Sequence, residues 1–453
     1  MIKYSLIGFT LALVLSCFMV AAASAQDSQT DPEVSQVDAE DPQSGSKDNA
    51  PRSTLSDDPH DPGEFLSAVQ ERGAQKESVF RMSPLVGLHE ATDKAKQDLY
   101  DATNLKLGLS LTHLSQWLSE SLPGEDTSGS TTELDFVTAW ELYDQGEPTQ
   151  GQIFFHLQGR WDYGTTGPET LGTTSLGSLN GTANSFSAYE PAFLMRNLYW
   201  QQGSQEAGWA YRIGKITPDA ILATSAHISA QTAFLSTTGI GSFVNGYADS
   251  GLGVVGAWYI NDRLKLLGLF SDANGDRYDF GDIGAGDYYK ALELGVKIDP
   301  RTPKAGYSKV TLWHTDGTQD GLPSNGQLGP DGWGYFLKHE QELTDDGRAI
   351  GILKYGQSFE DAAFYEQQAG GYFLLYDPTG IGHLKNDLFG VGYSWAQATE
   401  TTARDESGLE VFYRFPIYPL VDMTLAYQSV FNPALDPDND QASVFSIRLR
   451  TTF

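Results

Sequence analysis

The chain has 453 residues, with 29 Lys and Arg against 59 Asp and Glu and a formal charge of −30. So acidic a balance excludes a nucleic-acid partner, whose phosphates would repel it. One apolar run alone approaches the ~20 residues of a membrane helix, and it lies at the extreme N-terminus, which excludes a bundle of transmembrane helices.

That run reads as an export signal. Lys3 supplies a positive n-region, Ser5 to Val20 is almost wholly apolar, and Ala23-Ser24-Ala25 is a small-x-small cleavage site, so residues 1–25 are expected to leave as a signal peptide. The only cysteine, Cys17, falls inside it, and the exported chain is expected without disulfides or thiolate metal sites. Residues 26–63 are Asp, Ser, Pro and Gln with hardly any large apolar side chain, too little to offset ordering entropy, and predict a disordered acidic linker. Within 64–103 the stretches Leu66 to Gln75 and Glu90 to Tyr100 predict short, solvated helices in a periplasmic segment.

From 104 to 453 the period of the pattern drops to two. Leu105, Leu107, Leu109 and Leu111 interleave with Lys106, Gly108, Ser110 and Thr112, which places four leucines on one face of a strand. Similar alternation runs through Leu134 to Trp140, Ile153 to Tyr163, Leu292 to Ile298, Phe389 to Trp395, Leu409 to Phe415 and Phe445 to Phe453. With nine weaker segments the count is sixteen. Long connections (116–132, 164–192, 217–251) alternate with short ones (144–150, 202–207, Asn261-Asp262), as in a transmembrane barrel with both termini on the short-turn side. The predicted fold is therefore all-β, a transmembrane antiparallel β-barrel of sixteen strands over 104–453.

A soluble all-β protein also alternates, but three features disfavour it. The apolar face carries aromatics suited to an interfacial girdle (Trp140, Trp161, Tyr163, Tyr393, Trp395, Tyr413). Its opposite face carries charge on strand after strand, which a packed core would bury unpaired. The last residue, Phe453, keeps the outward parity of Phe445, Ile447 and Leu449.

Several segments resemble the carbohydrate-selective, OprB-like porins. Trp209 to Lys215 (WAYRIGK) is similar to their R-x-G-K strand, and Ser271 to Asp276 (SDANGD) to their D-A-N-G-D segment. Val310 to Thr315 (VTLWHT) resembles the G-x-W-H-T strand, with Thr311 in place of the frequent glycine. Glu410 to Arg414, Gln428, Asn432-Pro433 and Leu449 to Phe453 resemble the closing pattern, with Ala434 where glycine is usual. The resemblance implies a sixteen-stranded outer-membrane channel giving passive, selective diffusion of mono- or oligosaccharides into the periplasm. It also implies contact with outer-membrane lipid and lipopolysaccharide, and insertion by the barrel-assembly machinery through the strand ending in Phe453. The family contains monomers and trimers, which leaves a homotrimer open.

By parity the lumen receives Lys106, Glu141, Phe154, His156, Gln158, Arg160, Arg212, Glu293, Lys297, Trp313, Phe336, Glu410, Phe412 and Arg414. Sugar passage calls for rigid hydrogen-bonding groups and aromatic faces, which arginine and tryptophan supply. With Lys215 of the R-x-G-K segment, the substrate-contact candidates are His156, Arg160, Arg212, Lys215, Trp313, Glu410, Phe412 and Arg414. Thr217 to Ser250 is rich in Ala, Ser, Thr and Gly, and a loop this long is a candidate to fold inward and narrow the pore, with His227 a further candidate contact.

No enzyme is expected. HExxH, G-x-S-x-G and phosphate-cradling patterns are absent, and no cofactor is implied. The Asp272-Asn274-Asp276 and Asp436-Asp438-Asp440 series lack the glycine and distal acid of a calcium loop, which leaves Asp-rich turns. Two readings compete with a sugar channel: a general or cation-preferring diffusion pore, which the acidic total favours, and a structural or adhesive barrel whose lumen stays plugged.

Overall fold

The computed structural model describes residues 55–56, 61–66, 78–80, 83–179, 181–183, 186–188, 190, 192–298, 305–318, 327–384 and 386–453. The expected signal peptide and most of the expected acidic linker lie outside these residues.

Sixteen strands form one closed barrel. They are β1 (Leu105–Leu118), β2 (Ser128–Tyr143), β3 (Gly151–Asp162), β4 (Phe193–Ser204), β5 (Trp209–Ile216), β6 (Gly251–Tyr259), β7 (Leu264–Asp272) and β8 (Tyr288–Ile298), followed by β9 (Gly306–Thr315), β10 (Gly332–Glu342), β11 (Ala349–Phe359), β12 (Tyr365–Tyr376), β13 (Leu388–Ala398), β14 (Glu406–Tyr418), β15 (Val421–Phe431) and β16 (Gln441–Thr452). Each pairs antiparallel with its sequence neighbours, and β1 pairs with β16. Phe453 completes the seam by exchanging two backbone hydrogen bonds with Leu109, at 2.8 and 2.9 Å. Closure leaves no unpaired sheet edge, the condition for strands to stand in hydrocarbon.

The period-two pattern maps onto the barrel wall as expected. Outward positions hold Val254, Leu292, Leu312 and Leu353, all exposed, while inward positions on β1 hold the buried Ser110, Thr112 and Gln116. Outward aromatics gather near both rims. Trp140, Trp209 and Trp258 lie toward the end that carries the termini (the near end), and Trp117, Trp161 and Trp333 toward the far end.

A helix, α1 (Ser83–Thr103), precedes β1 and extends beyond the helix expected over Glu90 to Tyr100. Asn104, at φ 58°, makes the turn into the strand. Trp140 Nε1 donates to the Thr103 carbonyl at 3.0 Å, and the Tyr100 hydroxyl to Glu141 Oε2 at 2.8 Å, which fastens the helix to the near rim.

Far-end loops exceed near-end turns around most of the ring, except beside β12 and β13. The far-end connections 360–364 and 399–405 are both shorter than the near-end 377–387 between them. Two long far-end loops, 163–192 and 217–250, turn inward and fill much of the lumen, so inward side chains are buried where an open pore would leave them wet.

Candidate functional site

The loop 217–250 carries many backbone N–H and C=O groups into the barrel interior, where each buried group needs a partner. The wall supplies them around the ring. Glu293 on β8 accepts from Ala223 N at 2.6 Å. Lys309 on β9 and Lys338 on β10 both donate to the Thr224 carbonyl, and Lys354 on β11 donates to Gly239 O at 2.7 Å. Glu410 on β14 accepts from Leu235 N at 2.6 Å and Ser236 N at 3.0 Å. Arg414 donates to Thr232 O at 3.0 Å, and Arg448 on β16 to the carbonyls of Ala230 and Ala233. Gln231 Nε2 donates to Glu133 on β2 at 2.6 Å. The exchange is reciprocal, because buried wall charges also need polar partners. Small Ala, Ser, Thr and Gly side chains let the loop backbone come close enough to meet them.

Loop 163–192 closes over the far end in the same way. Thr182 O accepts from Gln116 at 2.9 Å and Gln428 at 2.8 Å, while Ser178 donates to Glu406 at 2.6 Å.

Between loop 217–250 and the wall of β3 and β4 lies a cavity of about 120 Å³, room for about four waters at ~30 Å³ each. Its wall side is formed by His156, Gln158 and Arg160 of β3 with Arg196 and Asn197 of β4, and its loop side includes Asp219, Ser225 and Gln231. Arg160 Nε lies 2.8 Å from Glu133 Oε2, and its Nη2 donates to Gln158 at 2.9 Å. His156 Nε2 lies 2.9 Å from Asp135 Oδ1. Arg196 sits 3.9 Å from Asp219 Oδ1, too far for a hydrogen bond, and that oxygen has no hydrogen-bond partner among the described residues. Burial inside the barrel raises the Asp219 carboxyl above its ordinary range, against the pull of Arg196. Planar donors, an acceptor and hydroxyl-bearing loop residues thus face one space.

Of the eight sequence candidates, the structure brings His156 and Arg160 to this cavity. Glu410 and Arg414 grip the loop, and Phe412 packs edge-on against Phe234 of the loop at 5.0 Å. Trp313 stacks on Tyr289 at 6.2 Å, beneath Gly246 of the loop. Lys215 donates to the carbonyls of Ser250, Asp276 and Asp279, so the R-x-G-K and D-A-N-G-D segments meet and tie two far-end loops together. Arg212 lies toward the near end, paired with Asp61. His227 hydrogen-bonds Tyr376 at 3.0 Å and does not line the cavity. Asp272 accepts from Asn274 N at 2.9 Å, a turn of the expected Asp-rich kind.

Arg196 was not among the parity-derived residues. His156 pairs with Asn197 and Leu157 with Met195, leaving Arg196 as the extra residue of a β-bulge. Such bulges re-aim side chains next to functional sites. Asp219 and Gln231 belong to the loop, where parity has no meaning.

No protein-family model matches the chain, and no curated protein matches it. Among solved structures, the high-pH structure of OprB from Pseudomonas putida superposes with a TM-score of 0.68 at 10% identity, covering 84% of this chain and 99% of that one. The low-pH structure of the same protein gives a TM-score of 0.50 at 8% identity over 84% and 100%. A triple mutant of the Rhodopseudomonas blastica porin gives 0.44 at 11% identity over 77% and 100%, too distant to carry an argument. At these identities the likeness establishes the fold alone: the chain has the barrel fold of OprB.

Proposed function

We propose that this chain is an outer-membrane porin, with its near end in the periplasm, that passes small polyhydroxylated solutes of the sugar class by passive diffusion. The cavity between Arg160, Arg196 and Asp219 carries this reading. Arginine forks and an acceptor oxygen across a polar gap suit a ligand with many hydroxyls and no net charge. The barrel shared with OprB supports it. Outward leucines and aromatic belts fit an outer-membrane lipid environment, and the closing strand fits delivery by the barrel-assembly machinery.

A cation-preferring pore draws support only from the total charge. Among the described residues, eleven buried Asp and Glu face nine buried Lys and Arg, so the interior is close to balance although the chain carries −30. The excess acid of the described residues lies largely among exposed side chains. That favours neutral solutes over a strong cation preference.

The test is the mature chain in a planar bilayer, titrated with glucose, maltose and a non-sugar polyol during single-channel recording. Saturable block of the ion current by a sugar is the expected result. Open channels indifferent to every sugar would leave a general diffusion pore, and folded barrels without current would favour a plugged structural barrel.

A further inference from the structure

Residues 55–56 and 61–66, ahead of α1, lie inside the barrel, whereas Val79 and Phe80 are exposed and hydrogen-bond Pro416 and Ile417 at the end of β14. Leu55 is buried against Ala210 and Ala257, inward residues of β5 and β6 close to the near rim. Ser56 Oγ donates to the carbonyl of Ala220, at the start of the loop that forms the cavity. Asp61 engages Arg212 with both carboxylate oxygens, and both side chains are 1% exposed. Arg212 also donates to Gln201 at 2.6 Å and lies over the Tyr199 ring at 4.8 Å. Residues 62–66 form a helical turn, whose Phe65 and Leu66 pack into one cluster with Val137, Phe154 and Tyr199. On the far side of that turn, Phe65 faces Arg450 of β16 at 5.9 Å and lies so close to Gly108 of β1 that a methyl group there would meet its ring at 2.7 Å.

These contacts run from β6 through β5, β4, β3, β2 and β1 to β16, along one continuous arc of the inner wall at the near end. Buried apolar anchors and a bidentate buried ion pair mark a docked element, since an arginine left uncompensated at such a site is strongly destabilising. We propose that residues 55–56 and 61–66 form a built-in stopper: they narrow the periplasmic half of the pathway, and Asp61 sets the local charge by neutralising Arg212. Ser56 links the stopper to the constriction loop, so undocking also loosens the start of that loop at Ala220. The inference deepens the porin reading and rests on it.

The experiment compares the full mature chain, a variant lacking residues 55–66, and Asp61→Asn, with folding of each barrel verified by heat-modifiable migration on gels. Single-channel conductance and the reversal potential in a salt gradient are read for each. The expected result is at least a twofold rise in conductance on deletion, and a shift toward anions in Asp61→Asn as Arg212 is uncovered. A silent full chain beside a conducting deletion variant would also support the stopper. If the full chain conducts and both folded variants match it in conductance and selectivity, the stopper is overturned and the porin reading stands. If full chain and deletion are both folded and silent, the porin reading falls and takes the stopper with it. Should the deletion fail to fold, the double variant Asp61→Asn, Phe65→Ala in the full chain decides by the same two readouts.

Discussion

Arg196 reaches the cavity because β4 carries one residue more than β3 opposite it, and the extra residue re-phases the strand between Met195 and Asn197. Removing its side chain in Arg196→Ala is expected to weaken sugar block about tenfold, the share of one charge-assisted hydrogen bond, with little change in open-channel conductance. Current block against sugar concentration measures it, and Arg414→Ala, which alters a loop contact outside the cavity, is expected to weaken block less. Gly214 tests a different constraint. It stands at φ 138°, and a methyl group there would lie 2.4 Å from the Leu198 carbonyl oxygen. Gly214→Ala should therefore cost roughly 1–3 kcal/mol, visible as earlier loss of the folded gel band on heating. The glycine of the R-x-G-K segment thus has a backbone reason, and its lysine binds loop carbonyls.

At the scale of elements, the loop 217–250 behaves as a second wall hung from the first. Its composition announced an unusual loop, and its length suggested an inward path, yet no periodicity could say which wall residues hold it. Glu410 takes two of its backbone N–H groups. In Glu410→Ala those donors stay buried and unpaired, at about 1–3 kcal/mol each, so the loop should loosen from β14. Noisier current, higher mean conductance and weaker sugar block are expected together. A quiet channel of unchanged conductance would mean that the loop is held without Glu410. Loop 163–192 shares the Gly, Ser and Thr richness of 217–250, a signal that could have marked it as inward-folding from sequence.

For the whole molecule, the barrel fixes which connections share a side. A peptide tag inserted at Gly124, on the far end, should be accessible on intact cells, and one at Asp262, on the near end, should not. The reverse pattern would invert the topology. Charge acts on this scale too. With the buried interior near balance, the permeability ratio of potassium to chloride should stay close to one, within a few-fold, despite the total of −30. A strong cation preference in the reversal potential would return the argument to the acidic total.

Sequence by itself determined the strand count, the inward and outward faces and the outward-facing aromatics, because period-two alternation is a local property that a two-faced barrel wall enforces on every strand. His156 and Arg160 were legible for the same reason. Which inward residues line the cavity, and which are spent holding loops, was decided only in the tertiary structure. Glu410, Phe412, Arg414 and Lys215 are occupied by segments far from them along the chain, Arg212 by Asp61, and Arg196 enters through a bulge that no pattern of alternating residues records. The near-end stopper belongs to the same class: residues 61–63 read as the end of a polar linker and 64–66 as the start of a solvated helical segment, and only the closed barrel offers them the pocket and the buried cation that hold them.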